Sequence, residues 1–203
     1  MSAHRLPTDT DNGLLLIISG PSGVGKTTIT RGVERSIPGA VFSVSATTRA
    51  RTPVDVEGVD YHFVTDEEFE RMKAAGEFLE SAGIYGKKYG TPIGPVDEQL
   101  RRGRLVILEI DVQGAIQVKA KMPKAFGVYI LPPSDEELLR RLQDRKREDA
   151  AKIQQRFNAA KAEIAAAKSC NVYDLFLTND NLDKTIKAAV DRVTSERARR
   201  AGR

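Results

Sequence analysis

The residues with the most specific chemistry form a glycine-rich segment near the start of the chain. Residues 20–27 read GPSGVGKT, which fits the phosphate-loop pattern G-x-x-x-x-G-K-[ST]. In this pattern the backbone N–H groups surround a phosphate chain, Lys26 reaches the β- and γ-phosphates, and the hydroxyl of Thr27 binds Mg²⁺. We therefore expect a nucleoside triphosphate site formed by Gly20, Pro21, Ser22, Gly23, Val24, Gly25, Lys26, Thr27 and Thr28.

The flanks of this segment decide between a phosphate site and a glycine turn that only caps a helix. Residues 14–18 are a continuous apolar run, typical of a strand buried on both faces of a parallel sheet. Residues 27–36 follow with a helical pattern. Because a phosphate loop needs a buried strand before it and a helix after it, the position favours the phosphate site.

Two carboxylates are candidates for holding the metal ion. Glu109 and Asp111 come at the end of the apolar run 105–110, and strand alternation would place them on the same side. Mg²⁺ prefers oxygen ligands and keeps several waters, so we expect both carboxylates to act through water. The alternative is an acidic strand end that faces solvent, and the phosphate loop upstream favours the metal site.

The elements that must position these residues alternate between strands and helices. Residues 105–110, 126–131 and 173–178 are further candidates for central strands. Helical patterns cover residues 27–36, 96–102, 114–121, 135–146, 150–168 and 182–200. This alternation predicts an α/β fold with a doubly wound parallel sheet. Residues 41–95 are richer in Thr, Tyr and Gly and are interpreted as an inserted lobe with its own small sheet.

Composition excludes several classes of protein. The 203 residues are 40% apolar and 30% charged, which excludes a disordered chain, and no apolar run is long enough to span a membrane. The single cysteine, Cys170, excludes an intramolecular disulfide and fits a reducing cytoplasm.

The net charge of +4 comes from residues 192–203, which hold five Arg and one Glu. We therefore expect no nucleic-acid partner, and residues 1–12 are interpreted as a disordered leader.

Several separated motifs in the inserted segment indicate a family. They are FSVSATTR at residues 42–49, DYHFV at 60–64, EFLE at 77–80 and YGT at 89–91. Together with the phosphate loop, LEID at 108–111 and ILPPS at 130–134, they resemble guanylate kinases over roughly residues 13–190. The resemblance implies a phosphate-loop core over residues 13–40, 96–134 and 169–203, a GMP-binding lobe over 41–95 and a helical lid over 135–168.

Guanine recognition can be argued from residue chemistry as well as from the resemblance. Guanine has an acceptor at O6 and donors at N1 and N2, so its binding site needs a hydroxyl and a carboxylate, which Thr91 and Glu80 provide. By resemblance, Glu80 would accept hydrogen bonds from N1 and N2, and Asp111 would also accept from N2. Ser45 and Thr91 would contact O6. Adenine has the opposite pattern and would leave these groups unpaired.

The resemblance also assigns the acceptor phosphate to Arg49, Tyr61 and Tyr89. The chain departs from the family at one point, because the second Arg expected three residues after Arg49 is replaced by Thr52, and Arg51 lies one residue earlier. Either Arg51 reaches the phosphate through a shifted backbone, or affinity for the acceptor depends more heavily on Arg49.

The predicted lid supplies further cations. Arg141, Arg145 and Arg156 match family positions of mobile arginines that close over the phosphates and stabilise the transition state. Lys146 and Arg147 replace the Gly and the small or polar residue that the family commonly has there. Asn179 lies in a segment that resembles the loop touching the adenine of ATP.

The sequence therefore predicts a guanylate kinase that uses ATP and Mg²⁺ to phosphorylate GMP or dGMP, in the cytoplasm, as a monomer or homodimer. Lys26, Arg49 and the three lid arginines are its predicted catalytic residues. One alternative is a silent scaffold, meaning a catalytically inactive module of the same fold that binds protein ligands through the same lobe. The intact phosphate loop disfavours this alternative. Another is a kinase of a different small phosphorylated acceptor, which Glu80 with Thr91 disfavours and the shifted Arg51 keeps open.

Overall fold

The computed structural model describes residues 13–84, 86–144 and 149–201. The predicted leader over residues 1–12, the lid residue Arg145 and the hinge residues Lys146 and Arg147 lie outside the described residues. Within the described ranges, no helix is both long enough and apolar enough to cross a membrane.

Nine strands and seven helices form the described part of the chain. In chain order they are β1 (Leu14–Ser19), α1 (Lys26–Ser36), β2 (Val41–Phe42), β3 (Ala46–Thr47), β4 (His62–Phe63), α2 (Asp66–Ala74), β5 (Phe78–Ile84), β6 (Lys87–Pro92), α3 (Ile93–Arg101), β7 (Leu105–Glu109), α4 (Val112–Lys121), β8 (Phe126–Leu131), α5 (Asp135–Gln143), α6 (Ala150–Ser169), β9 (Leu175–Thr178) and α7 (Leu182–Ala201).

The larger sheet has five strands in the order β2-β7-β1-β8-β9, and every neighbouring pair is parallel. Leu16 and Ile18 of β1 pack with Val33 of α1 and Val193 of α7 on one face. Leu15 and Ile17 pack on the other face with residues of α3 and α4. Helices on both faces explain why the central strands are buried along most of their length and are largely apolar, and they confirm the predicted α/β fold.

The edges of this sheet differ from the sequence predictions. Residues 173–178 were expected to form a central strand, but β9 begins at Leu175, lies at the edge and is only partly buried. The predicted lobe began at residue 41, whereas Val41–Phe42 pairs with β7 in the core sheet. A two-residue strand carries too little periodicity to be recognised from sequence alone.

Helix boundaries follow local capping chemistry. Thr65 and Ser134 each accept a hydrogen bond from the backbone N–H three residues ahead, and these bonds start α2 and α5. Helix α4 begins two residues earlier than predicted because the side chain of Asp111 caps it by accepting from Gly114 N at 2.7 Å. Helix α3 begins three residues earlier than predicted, directly after Pro92.

The smaller sheet has four strands in the order β4-β3-β6-β5, around a core of Ala46, Phe69 and Phe78. Its strand β5 is attached to α4 of the core by side-chain hydrogen bonds. The amide of Gln117 accepts from Ser81 N and donates to Ser81 O, both at 3.1 Å. These two bonds imitate the pairing of a neighbouring strand and fix the middle of β5 against the core.

Candidate functional site

The phosphate loop connects β1 to α1 at the carboxyl end of the larger sheet. Gly25 is the N-cap of α1 with φ 96°, a left-handed conformation that favours glycine. A Cβ atom at Gly25 would also lie 3.0 Å from Nδ2 of Asn179. The loop therefore follows a strand and leads directly into a helix, which is the arrangement that anion binding at a helix N-terminus requires.

Lys26 lies against the backbone of this loop. Its ammonium group donates to the carbonyl oxygen of Gly20 and, at 3.2 Å, to that of Pro21. Thr27 and Thr28 are exposed in the first turn of α1. The cation and the helix N-terminus thus lie at the same end of the loop, as the sequence pattern predicts.

Thr27 and Glu109 are brought together by β1 and β7, which are neighbours in the sheet. The Thr27 hydroxyl donates to Glu109 Oε1 at 2.8 Å. In the described part of the chain, no group of three or more His, Cys, Asp or Glu side chains is placed to hold a metal ion. A hydroxyl beside one carboxylate still fits Mg²⁺, which takes oxygen ligands and retains waters.

Asp111 does not lie beside Glu109 on one strand as expected. Strand β7 ends at Glu109, and Asp111 instead starts α4. Both carboxylates nevertheless line the same cavity. The prediction from strand alternation was wrong about the geometry, while the two side chains still face one site.

This cavity has a volume of about 660 Å³ and lies between the phosphate loop, the smaller sheet and α6. It is lined by predicted phosphate-side and acceptor-side residues together: Ser22, Lys26, Ser45, Tyr61, Glu80, Tyr89, Glu109 and Asp111. One cavity thus joins residues predicted to bind a triphosphate with residues predicted to bind a nucleoside monophosphate.

Glu80 is the most deeply buried acid of the cavity. Its side chain accepts a 2.6 Å hydrogen bond from the hydroxyl of Thr91, and both residues are buried. Burial raises the pKa of Glu80 to about 7; the Thr91 bond opposes this shift, and the nearby charge of Asp111 adds to it. Because a hydroxyl has one proton, the predicted donation from Thr91 to guanine O6 would require the bond to Glu80 to break.

Arg49 is held by a carboxylate and by two aromatic rings. Its Nη1 and Nη2 donate to the two carboxylate oxygens of Asp55, each at 2.9 Å. Its guanidinium carbon lies 5.2 Å from the ring centre of Tyr61 and 5.4 Å from that of Phe63. The ring of Tyr61 also contacts that of Tyr89 at 5.7 Å. The predicted phosphate-binding trio is therefore assembled as one cluster.

Arg51 takes a different position from Arg49. Its Nε donates at 3.0 Å to the backbone carbonyl of Asp55, and its side chain is exposed. This contact supports the alternative in which acceptor affinity depends on Arg49.

Two of the lid arginines contact the phosphate loop or Asn179, which lies beside it. Arg156 of α6 donates to the hydroxyl of Ser22. Arg141 of α5 donates to Glu137 at 2.7 Å and to the carbonyl of Asn179 at 3.0 Å. The third, Arg145, lies outside the described residues.

Asn179 is placed differently from the prediction of an adenine contact. Its side chain is buried, and Nδ2 donates to the carbonyl of Val24 at 2.8 Å. Its backbone N–H donates to Leu131 O at 2.8 Å, at the end of β8. The Asn179 side chain therefore holds the phosphate loop in place at Val24 through a buried hydrogen bond.

Sequence reasoning missed two acids of the site. Glu163 of α6 lines the cavity, and burial raises its pKa to about 7. Its spacing of seven residues from Arg156 places both on one helix face and was a signal that could have identified it. Asp55, the partner of Arg49, had no comparable signal because the intervening loop has no regular period.

The comparisons with known proteins agree with this geometry. The family model described as "Guanylate kinase" matches residues 12–196. The chain is 46% identical over 201 residues to the guanylate kinase of Anaeromyxobacter dehalogenans, covering 98% of this chain and 86% of that protein. It is 47% identical over 176 residues to that of Synechococcus elongatus, covering 87% and 94%. The crystal structure of guanylate kinase from Anaplasma phagocytophilum superposes with a TM-score of 0.72 at 30% identity, covering 94% of this chain and 89% of that chain.

Proposed function

The chain belongs to the guanylate kinase family, and from this membership we propose that it transfers the γ-phosphoryl group of ATP to GMP or dGMP, with Mg²⁺. The observation that carries the proposal is the single cavity that contains Lys26 of the phosphate loop and the buried carboxylate of Glu80. A donor and an acceptor bound at these two ends would share one cavity, as direct transfer requires.

The donor end would hold the triphosphate of ATP through loop amides and Lys26. Thr27 would hold Mg²⁺ directly through its hydroxyl, and Glu109 and Asp111 would act through water. When bound, the metal would neutralise charge on the β- and γ-phosphate oxygens. The ammonium of Lys26 would exchange its carbonyl partners in the loop for phosphate oxygens, which are stronger acceptors.

The acceptor end would orient GMP by its base and by its phosphate. Glu80 would accept from N1–H and N2–H of guanine, and Ser45 would contact O6. Arg49, Tyr61 and Tyr89 would bind the phosphate. An ionised phosphate oxygen of GMP already carries the nucleophilic lone pair, so no protein base is needed.

The lid arginines would act during the transfer. Charge accumulates on the equatorial oxygens of the γ-phosphoryl group and on the leaving oxygen, and positioned guanidinium groups offset it. Arg156 is already in contact with Ser22 of the phosphate loop. With Arg141 and Arg145 it would exclude water, which favours transfer to GMP over hydrolysis.

Several sequence predictions remain predictions. They are the boundaries of core, lobe and lid other than the start of the lobe, the lack of a nucleic-acid partner, the monomeric or homodimeric state and the cytoplasmic location.

An acceptor panel tests the proposed function. ADP release should be measured with ATP and each of GMP, dGMP, AMP, UMP and CMP, with a control that lacks an acceptor. We expect turnover with GMP, and with dGMP, at least 100-fold above the other acceptors, since a wrong base would leave the buried polar groups of Glu80 and Thr91 unpaired. Turnover with a different monophosphate would assign another acceptor, and no turnover with any of them would support the silent scaffold.

A further inference from the structure

Asp55 lies in the loop that joins β3 to β4 and receives four hydrogen bonds at its carboxylate. Two come from Arg49, at 2.9 Å each. Two come from Thr52, whose backbone N–H and hydroxyl donate at 2.6 and 2.7 Å. The Asp55 side chain is only 12% exposed. A carboxylate with this many partners is fixed in position.

The donors of Arg49 can be counted individually. A guanidinium has five N–H groups in a planar fork. Nη1 uses both of its hydrogens, one on Asp55 and one on the carbonyl of Ala50 at 3.0 Å. Nη2 uses one on Asp55. Among the contacts of the described residues, this leaves Nε–H and the second hydrogen of Nη2, which lie side by side on one edge of the fork.

We infer that Asp55 is a positioning residue for the acceptor phosphate: it holds the end edge of the Arg49 guanidinium and leaves the Nε–Nη2 edge for two phosphate oxygens. This inference rests on the proposed function, in which Arg49 binds the phosphate of GMP. Such an edge donates two parallel hydrogen bonds, the geometry that suits a phosphate. The rings of Tyr61 and Phe63 lie beside this guanidinium, with their centres 5.2 and 5.4 Å from its carbon atom.

Thr52 has a defined place in this arrangement. The family resemblance predicts a second phosphate-binding arginine at position 52, and this chain instead directs both Thr52 donors to Asp55. The loop thus uses position 52 to secure the partner of Arg49. Hydrogen bonds from Arg49 and Thr52 hold the pKa of Asp55 well below its usual range, so the carboxylate remains charged at neutral pH.

The test compares Asp55→Asn with the wild-type protein in binding GMP and guanosine, by calorimetry without ATP. The amide places an NH₂ group against Arg49 and removes one acceptor. We expect GMP affinity to fall roughly tenfold or more. Guanosine affinity should stay within about twofold, because guanosine has no phosphate for Arg49 to bind. In turnover assays, KM for GMP should rise while KM for ATP stays unchanged, and Asp55→Glu should recover part of the loss.

The matched control is Asp60→Asn. Asp60 lies in the same loop and accepts from Val56 N at 2.7 Å, and within the described ranges it makes no hydrogen bond with Arg49. It reports what loosening the loop does on its own, and we expect its GMP affinity to stay close to that of the wild-type protein.

Three outcomes would overturn the inference. Unchanged GMP affinity in Asp55→Asn would mean that Asp55 does not position Arg49, and increased affinity would mean that Asp55 competes with the phosphate. Equal losses for GMP and guanosine would indicate a general collapse of the loop. A wild-type protein that neither binds nor phosphorylates GMP would instead overturn the proposed function itself.

Discussion

The hydroxyl of Thr91 donates to the buried carboxylate of Glu80 across 2.6 Å, so the group predicted to recognise guanine is already held in place by its neighbour. Burial of that carboxylate raises the pKa of Glu80 to about 7. The side chain is therefore divided between its protonated and ionised forms near neutral pH, and only the ionised form accepts from both N1–H and N2–H of guanine.

The first prediction concerns pH. Guanosine affinity should fall as the pH drops below about 7, by roughly tenfold per pH unit, since the protonated form of Glu80 then predominates. Guanosine is the better ligand for this measurement, because the phosphate of GMP itself titrates near pH 6. Calorimetry between about pH 5.5 and 8 would give the profile.

Glu163 complicates this profile, because its pKa is also raised to about 7 and it lines the same cavity. The control is Glu80→Gln, whose guanosine binding should lose the dependence on pH. If that variant kept the full dependence, the titrating group would be Glu163.

The second prediction concerns base recognition. Glu80→Gln should raise KM for GMP about 100-fold and leave KM for ATP within about threefold. The amide retains one acceptor oxygen and presents an NH₂ group to guanine donors, which leaves buried donors unpaired. Steady-state kinetics with each substrate varied in turn measures both constants. Equal effects on GMP and ATP would contradict the guanine role.

The third prediction concerns the space beside Glu80. A Cβ atom at Gly114 would lie 2.9 Å from Glu80 Oε2. Gly114→Ala should therefore displace the carboxylate and raise KM for GMP about tenfold, although Ala is the better helix former. Gly94→Ala is the matched control, because its added Cβ atom would meet nothing within 4 Å. If both variants had the same KM, the carboxylate would be able to move without loss.

The fourth prediction concerns the donor end. Lys26→Ala should lower kcat by roughly 100- to 1000-fold, because a charged donor to the transferring phosphoryl group is lost. Its circular dichroism spectrum and melting temperature should match those of the wild-type protein. Lys187→Ala removes an exposed lysine of α7 and should leave kcat unchanged. A near-normal rate in Lys26→Ala would exclude transfer through the phosphate loop.

The fifth prediction concerns support of the loop. Asn179→Ala removes the donor to Val24 O and should lower the free energy of unfolding by about 1–3 kcal/mol, measured in urea. KM for ATP should rise as well, since the loop loses its support. Asn181→Ala also removes a local hydrogen bond, which Asn181 Oδ1 accepts from Lys184 N, but at an exposed position. An unchanged KM for ATP in Asn179→Ala would leave Asn179 with a purely structural role.

The α/β core was predictable because its physical signals are strong and local. A continuous apolar run followed by a glycine-rich loop and a helix fixes β1, the loop and α1 without reference to the rest of the chain. The central strands β7 and β8 could be predicted for the same reason. Strand β2 could not, because its two residues gain their conformation from pairing with β7.

Side-chain partners were less predictable than site membership. The sequence placed Asp111 at a strand end and, through the family resemblance, Asn179 in a loop that touches the adenine of ATP. It did not show that Asp111 would cap α4 or that Asn179 would bind Val24 O. Both contacts depend on which strand ends are adjacent in three dimensions. The pairing of Asp55 with Arg49 is similar, because it depends on the path of an irregular loop.

The two hydrogen bonds between Gln117 and the backbone of Ser81 bear on the distance between the two ends of the cavity. Ser81 directly follows Glu80. Gln117 lies on α4, which packs against β1, the strand that leads into the phosphate loop. If Glu80 binds the base as proposed, these two bonds fix the position of the base relative to the sheet that carries the phosphate loop. Under the same proposal, a displacement of the β3–β4 loop would move Arg49 and Asp55 at the phosphate end of the acceptor and leave the carboxylate at its base end in place.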